Sequence, residues 1–172
     1  MHDFDRLLGM VYRRRLDELE RAAQAGARFD VRGTDGRTLV LHAVLGDAAE
    51  PEVVRWLLAR GAEVDVADAA QRWTALHHAA RDGKVQIVDI LLQAGATVDA
   101  KDMFGNTPLW RCVANGDRKH KQRMIDIARL LLAAGADPRR KNNYDISPID
   151  CETKHLSPLP ELLALLDPRG AA

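Results

Sequence analysis

The chain has 172 residues, of which 47% are hydrophobic and 29% charged, and Lys+Arg and Asp+Glu balance at 25 each. That hydrophobic share excludes a globally disordered chain, and the neutral balance leaves no whole-chain field to draw it to nucleic acid or a membrane surface. Cys112 and Cys151 are too few for a disulfide scaffold and lack metal-ligand spacing. With no signal pattern at the start and no apolar run near a membrane span, a soluble cytoplasmic protein is expected.

In chain order, residues 5–29 read as a degenerate capping unit that ends on Gly26-Ala27, with Arg13-Arg14-Arg15 on its wet face. The Gly-Ala pair then recurs at Gly61-Ala62, Gly95-Ala96 and Gly135-Ala136, at intervals of 35, 34 and 40 residues. A second marker keeps the same phase: Thr38-Leu39, Thr74-Ala75-Leu76, Thr107-Pro108-Leu109 and Ser147-Pro148-Ile149. Thr or Ser before an apolar run is an N-cap, and Pro is harmless at the first helical position. Glycine after an apolar run suits a left-handed C-cap. Each unit therefore holds two short helices. In the third unit these run from Thr74 to Arg81 and from Val85 to Gln93, with a break at Asp82-Gly83.

The second helices are apolar at Val53, Val54, Leu57 and Leu58, at Ile87, Val88, Leu91 and Leu92, and at Ile127, Ala128, Leu131 and Leu132. Such spacing buries one face. A lone pair of helices this short cannot bury it, so the units must stack.

The run Thr74-Ala75-Leu76-His77-His78-Ala79-Ala80, followed by Gly83, Ile87-Val88 and Leu91-Leu92-Gln93-Ala94-Gly95-Ala96, resembles an ankyrin repeat. The resemblance spans roughly residues 30 to 166 and implies an all-α solenoid with β-turn fingers and inner helices lining a concave face. The whole chain is then one domain: a cap at 5–29 and repeats at about 30–64, 65–98, 99–138 and 139–168. Departures are Leu41 and Trp110 where the family keeps a His, Arg72 in place of a finger Gly, and about seven extra residues between Asp117 and Met124. The basic run Arg118 to Arg123 in that insertion reads as a solvated loop, with a specificity loop reaching towards a partner as the alternative.

Catalysis has no sequence feature to stand on. His77 and His78 diverge by about 100° on a helix, so they cannot share a ligand. The resemblance gives His77 a structural role between loops and leaves His78 as an inner-face contact. Cys112 and Cys151 read as small packing residues. No enzyme, metal or cofactor is expected.

Recognition is the expected work. Three residues before each cap stand Asp35, Gln71, Phe104 and Tyr144, and one before stand Arg37, Trp73, Asn106 and Ile146. Stacking in register makes these two rows along the finger tips, and exposed aromatics there read as interface anchors. The proposed contact set is Arg37, His42, Trp73, His78, Arg81, Phe104, Asn106, Arg111, Asn115, Tyr144 and Ile146. Nine cations on fingers and first helices (Arg32, Arg37, Arg72, Arg81, Lys101, Arg111, Arg139, Arg140, Lys141) face five aspartates (Asp35, Asp68, Asp82, Asp102, Asp145), making the binding side mildly basic.

Gly105 to Arg111 and Lys141 to Pro148 are similar to strings in small, free-standing bacterial ankyrin proteins, some of them immunity proteins. That likeness implies a monomeric inhibitor of a partner such as a cognate toxin, contacted through the concave face and fingers. The alternative is a scaffold or adaptor. Nucleic acid and membrane are not expected partners.

Overall fold

Each Thr or Ser marker opens a short helix in the computed structural model, which describes residues 3–45, 49–115, 120–154, 158–168 and 170. Thr38 Oγ1 accepts the Leu41 N–H and Thr107 Oγ1 the Trp110 N–H, both at 3.2 Å. Ser147 Oγ accepts the Asp150 N–H, while Asp150 takes the Ser147 N–H at 2.9 Å in return. These bonds satisfy donors that a first helical turn leaves open.

The described helices are α1 (Asp3–Tyr12), α2 (Leu16–Gln24), α3 (Leu39–Leu45), α4 (Pro51–Ala59), α5 (Ala75–Arg81), α6 (Val85–Gln93), α7 (Pro108–Asn115), α8 (Lys121–Ala133), α9 (Pro148–Thr153) and α10 (Pro160–Leu166), of which α3, α5, α7 and α9 follow a Thr or Ser marker. The pattern is all-helical, as the sequence predicts, apart from an isolated bridge between Arg32 and Thr38.

The Gly-Ala pairs are chain reversals with a double hydrogen bond. Gly61 N–H donates to Leu58 O and Ala62 N–H to Leu57 O, and the same pair of bonds recurs at Gly26-Ala27, Gly95-Ala96 and Gly135-Ala136. The glycine takes the left-handed conformation (φ +81 at Gly61) while the following alanine turns into the core.

Helices this short are unstable singly. Here α1, α3, α5, α7 and α9 stack in one row, α4, α6, α8 and α10 in a second, and each unit's two helices pack together. Leu57, Leu91 and Leu131 are fully buried between the rows, each contributing roughly 1.5–3 kcal/mol of transfer free energy.

The insertion corrects one expectation. Lys121, Gln122 and Arg123 form the exposed first turn of α8, which reaches 13 residues against nine in α6. Gln122 donates to Asp126 at 2.9 Å, a one-turn pair that helps hold it helical. The basic run is thus partly helix rather than loop; its Arg118 and Lys119 lie outside the described residues.

Candidate protein-recognition face

One side chain organises each of the last three fingers. Asp102 Oδ1 accepts the backbone N–H of Phe104 and of Asn106 at 2.8 and 2.9 Å, and Asn142 Oδ1 accepts those of Tyr144 and Ile146 at 2.9 and 3.1 Å. Asp68 does the same for Gln71 and, more weakly, Trp73. Backbone bonds close the loops: Asp68 N–H to Trp73 O, Asp102 N–H to Asn106 O, Asn142 N–H to Ile146 O. Successive fingers are tied through Met103 N–H to Gln71 O and Asn143 N–H to Phe104 O, both 3.0 Å. The tips therefore stand in a fixed register.

Two residues before each cap the chain turns left-handed, at Gly36, Arg72, Gly105 and Asp145 (φ between 58 and 77). Arg72 keeps the finger geometry despite lacking the glycine, and the extra residue is absorbed in a longer closure from Asp68 to Trp73. Gly105 cannot change so freely, since a Cβ there would stand 2.9 Å from the backbone nitrogen of Asn143.

The inner helices bind the fingers from below. Four residues after the first three caps stand His42, His78 and Arg111, and each reaches its own finger's carboxylate. His42 Nε2 is 3.2 Å from Asp35, His78 Nε2 is 3.1 Å from Asp68, and Arg111 Nε donates to Asp102 at 2.9 Å. Burial pushes the imidazoles of His42 and His78 below the ordinary range, against the pull of their aspartates. Asp102 goes low: burial works to raise it, but the Arg111 hydrogen bond and the finger N–H groups outweigh that. Tyr12 OH meets His42 Nδ1 at 2.8 Å and so clamps the N-terminal unit to this column.

Trp73 corrects a second expectation. It is 4% exposed, not a finger-tip anchor. The guanidiniums of Arg111 and Arg81 lie 4.4 and 4.8 Å from its ring centre, and the rings of His77 and His78 pack on it. Its indole seals the joint between two units, where cation–π attraction adds to apolar burial.

The contact set divides accordingly. His42, His78, Trp73 and Asn106 are buried. Asn106 is occupied between fingers, donating to Asp102 and accepting from Asn142 Nδ2 at 2.7 Å. Arg37, Arg81, Arg111 and Ile146 are half-buried, and Asn115 closes α7 with its side chain outside the described set. Phe104 and Tyr144 are exposed on adjacent fingers, ring centres 6.5 Å apart. Sequence reasoning passed over Met103, equally exposed beside them, and the bracing of Asp102 and Asn142. The signal for the braces was present: Asp and Asn fold back onto N–H groups two residues ahead in tight turns.

The basic excess is also redistributed. Arg32 pairs with Glu63, Arg37 with Asp35, Arg81 with Asp82, Arg111 with Asp102, Arg139 with Asp167, Arg140 with Asp99 and Lys141 with Asp145. Among the described residues Arg72 and Lys101 have no carboxylate at ion-pair distance. The charge of this face is local, not general.

The cysteines are poor nucleophiles. Burial pushes the Cys112 thiol up to about 12 and the Cys151 thiol up to about 11, so both stay protonated near neutrality. Among the described residues no His, Cys, Asp and Glu cluster could hold a metal, and no helix is long and apolar enough to cross a membrane.

Comparison with known proteins agrees with the geometry. The family model described as ankyrin repeats (3 copies) matches residues 14–102 and 40–142. Human cyclin-dependent kinase inhibitor 2A is 32% identical over 142 residues, which cover 83% of this chain and 85% of that protein. Mouse cyclin-dependent kinase 4 inhibitor B is 32% identical over 125 residues, 73% of this chain and 88% of the relative. Mouse B-cell lymphoma 3 protein homolog is 29% identical over 131 residues but is matched along only 27% of its length. With capped helix pairs, left-handed Gly-Ala reversals and braced fingers all recurring in one phase, this chain belongs to the ankyrin-repeat family.

Proposed function

We propose that the chain is a non-catalytic recognition module that binds a partner protein and inhibits it. The observation that carries this reading is the bracing of the fingers by Asp68, Asp102 and Asn142, which holds the exposed Phe104–Tyr144 pair ready before any partner arrives. A surface ordered in advance loses little conformational entropy on binding. Support for inhibition, beyond mere tethering, comes from the two kinase-inhibitor relatives, matched along most of their own length.

The target in our reading is a toxin, as in an immunity protein. Its support is the likeness of Gly105 to Arg111 and Lys141 to Pro148 to strings in small bacterial ankyrin proteins. A protein kinase is the second reading, favoured by the names of the same relatives. Capture of the partner by the tagged chain from its native cells, followed by assay of the partner's activity with and without the chain, tests both. Stoichiometric loss of activity is expected, and the identity of the captured protein separates toxin from kinase. A bound partner with full activity would replace inhibition by the scaffold or adaptor reading.

A further inference from the structure

Four large hydrophobic side chains stand exposed among the described residues: Tyr12, Met103, Phe104 and Tyr144. Three of these lie on two adjacent finger tips. Exposed apolar groups held at fixed height, on a rigid backbone, mark a contact strip rather than scatter. The backbone is fixed by the Met103 and Asn143 bonds to neighbouring fingers and by Asn143 Nδ2 donating to Met103 O.

Of the nine cations on fingers and first helices, the two with no carboxylate at ion-pair distance among the described residues, Arg72 and Lys101, flank the same strip. Arg72 follows Gln71, whose carbonyl receives the Met103 N–H, and Lys101 stands at the foot of the Phe104 finger. Lys101 reaches only as far as a long-range pull on Asp99, whose ion pair is with Arg140. On these two tips the carboxylate of Asp145 is paired with Lys141 Nζ at 2.9 Å.

We infer that these finger tips bind an acidic segment of the partner protein that carries an apolar side chain, seating that side chain on Met103, Phe104 and Tyr144 and its carboxylates against Arg72 and Lys101. The inference rests on the protein-binding reading above and adds the chemistry of what is bound. An apolar group alone would leave the two cations without an ion pair. A purely acidic segment would leave the aromatic pair in water. Unpaired charges of one sign beside an apolar strip select a partner that supplies both.

Random peptides displayed on phage and selected on the immobilised full chain test this. The enriched sequences should place Asp or Glu beside Leu, Ile, Phe, Trp or Met. A synthetic peptide of the selected consensus should bind roughly tenfold or more weakly to the double variant Phe104→Ser/Tyr144→Ser, with thermal unfolding unchanged. It should lose a similar factor against Arg72→Glu/Lys101→Glu, and a peptide with its acids changed to Lys should recover binding to that variant alone. Enrichment without acids, no enrichment, indifference to the charge swap, or self-association of the chain through its tips would each overturn the inference. If the natively captured partner is inhibited but still binds both variants at full strength, the strip fails and the inhibitor reading stands. If the peptide results hold while the captured partner keeps its activity, the inhibitor reading fails alone.

Discussion

His77 Nε2 lies 3.1 Å from the carbonyl oxygen of Asn106, 29 positions along the chain and in the next finger. Its Nδ1 faces both the N–H and the hydroxyl of Thr74, at 3.2 and 2.9 Å. A backbone N–H can only donate, so Nδ1 is the acceptor and Nε2 carries the proton given to Asn106. A neutral ring is built into the joint, and burial pushes its pKa down to about 4.

Stability against pH follows from that ring. Between about 6.5, the unfolded value, and about 4, the unfolded chain binds a proton that the folded chain refuses. Stability therefore falls as pH drops through this window, by up to roughly 1.4 kcal/mol per pH unit. His42 and His78, also lowered, add in the same direction. Urea midpoints measured from pH 7.5 to 4.5 should decline below about 6.5; a flat profile would contradict a buried neutral His77.

Leu91 is fully exposed to neighbours and to no solvent, on the outer helix of the third unit. Leu91→Ala should cost about 2–5 kcal/mol, because the surrounding helices cannot close over the cavity. Chemical unfolding of the purified variant measures it. A loss under about 0.5 kcal/mol would mean that the buried face is misassigned.

Trp73→Ala should act on folding before it acts on binding. Removing a buried indole from between Arg81 and Arg111 is expected to cost about 3–5 kcal/mol. Trp73→Phe, which keeps a ring under both guanidiniums, should cost much less. A Trp73→Ala chain with unaltered melting but lost partner affinity would restore the indole to the interface.

Arg72 holds a left-handed backbone that favours glycine. Arg72→Gly should raise stability by about 1 kcal/mol, the cost of that conformation for a side chain less the extra entropy of an unfolded glycine. The same change removes a cation from the finger strip, so thermal stability should rise while affinity for the acidic consensus peptide falls. Parallel movement of the two would show that Arg72 supports the fold and does not meet the ligand.

The repeat was legible in the sequence because its signals are local. A cap needs its hydroxyl within a turn of the helix it starts, and a left-handed reversal needs glycine at one position; both are written in adjacent letters, as at Thr74 and Gly95. So was the structural part of His77, through the family pattern around it. The finger tips Phe104 and Tyr144 also lay where register put them. What only tertiary structure decided is which side chains the stack consumes. Trp73 holds the same register position as Arg37 and Ile146, yet it is buried because guanidiniums from its own unit and from the next close over it. Seven of nine cations that looked available are matched by carboxylates, those of Arg32, Arg139 and Arg140 far along the chain and the rest within the cation's own finger or first helix. Burial and pairing depend on contacts between units, and a one-dimensional pattern records the position of a residue but not what stacks against it.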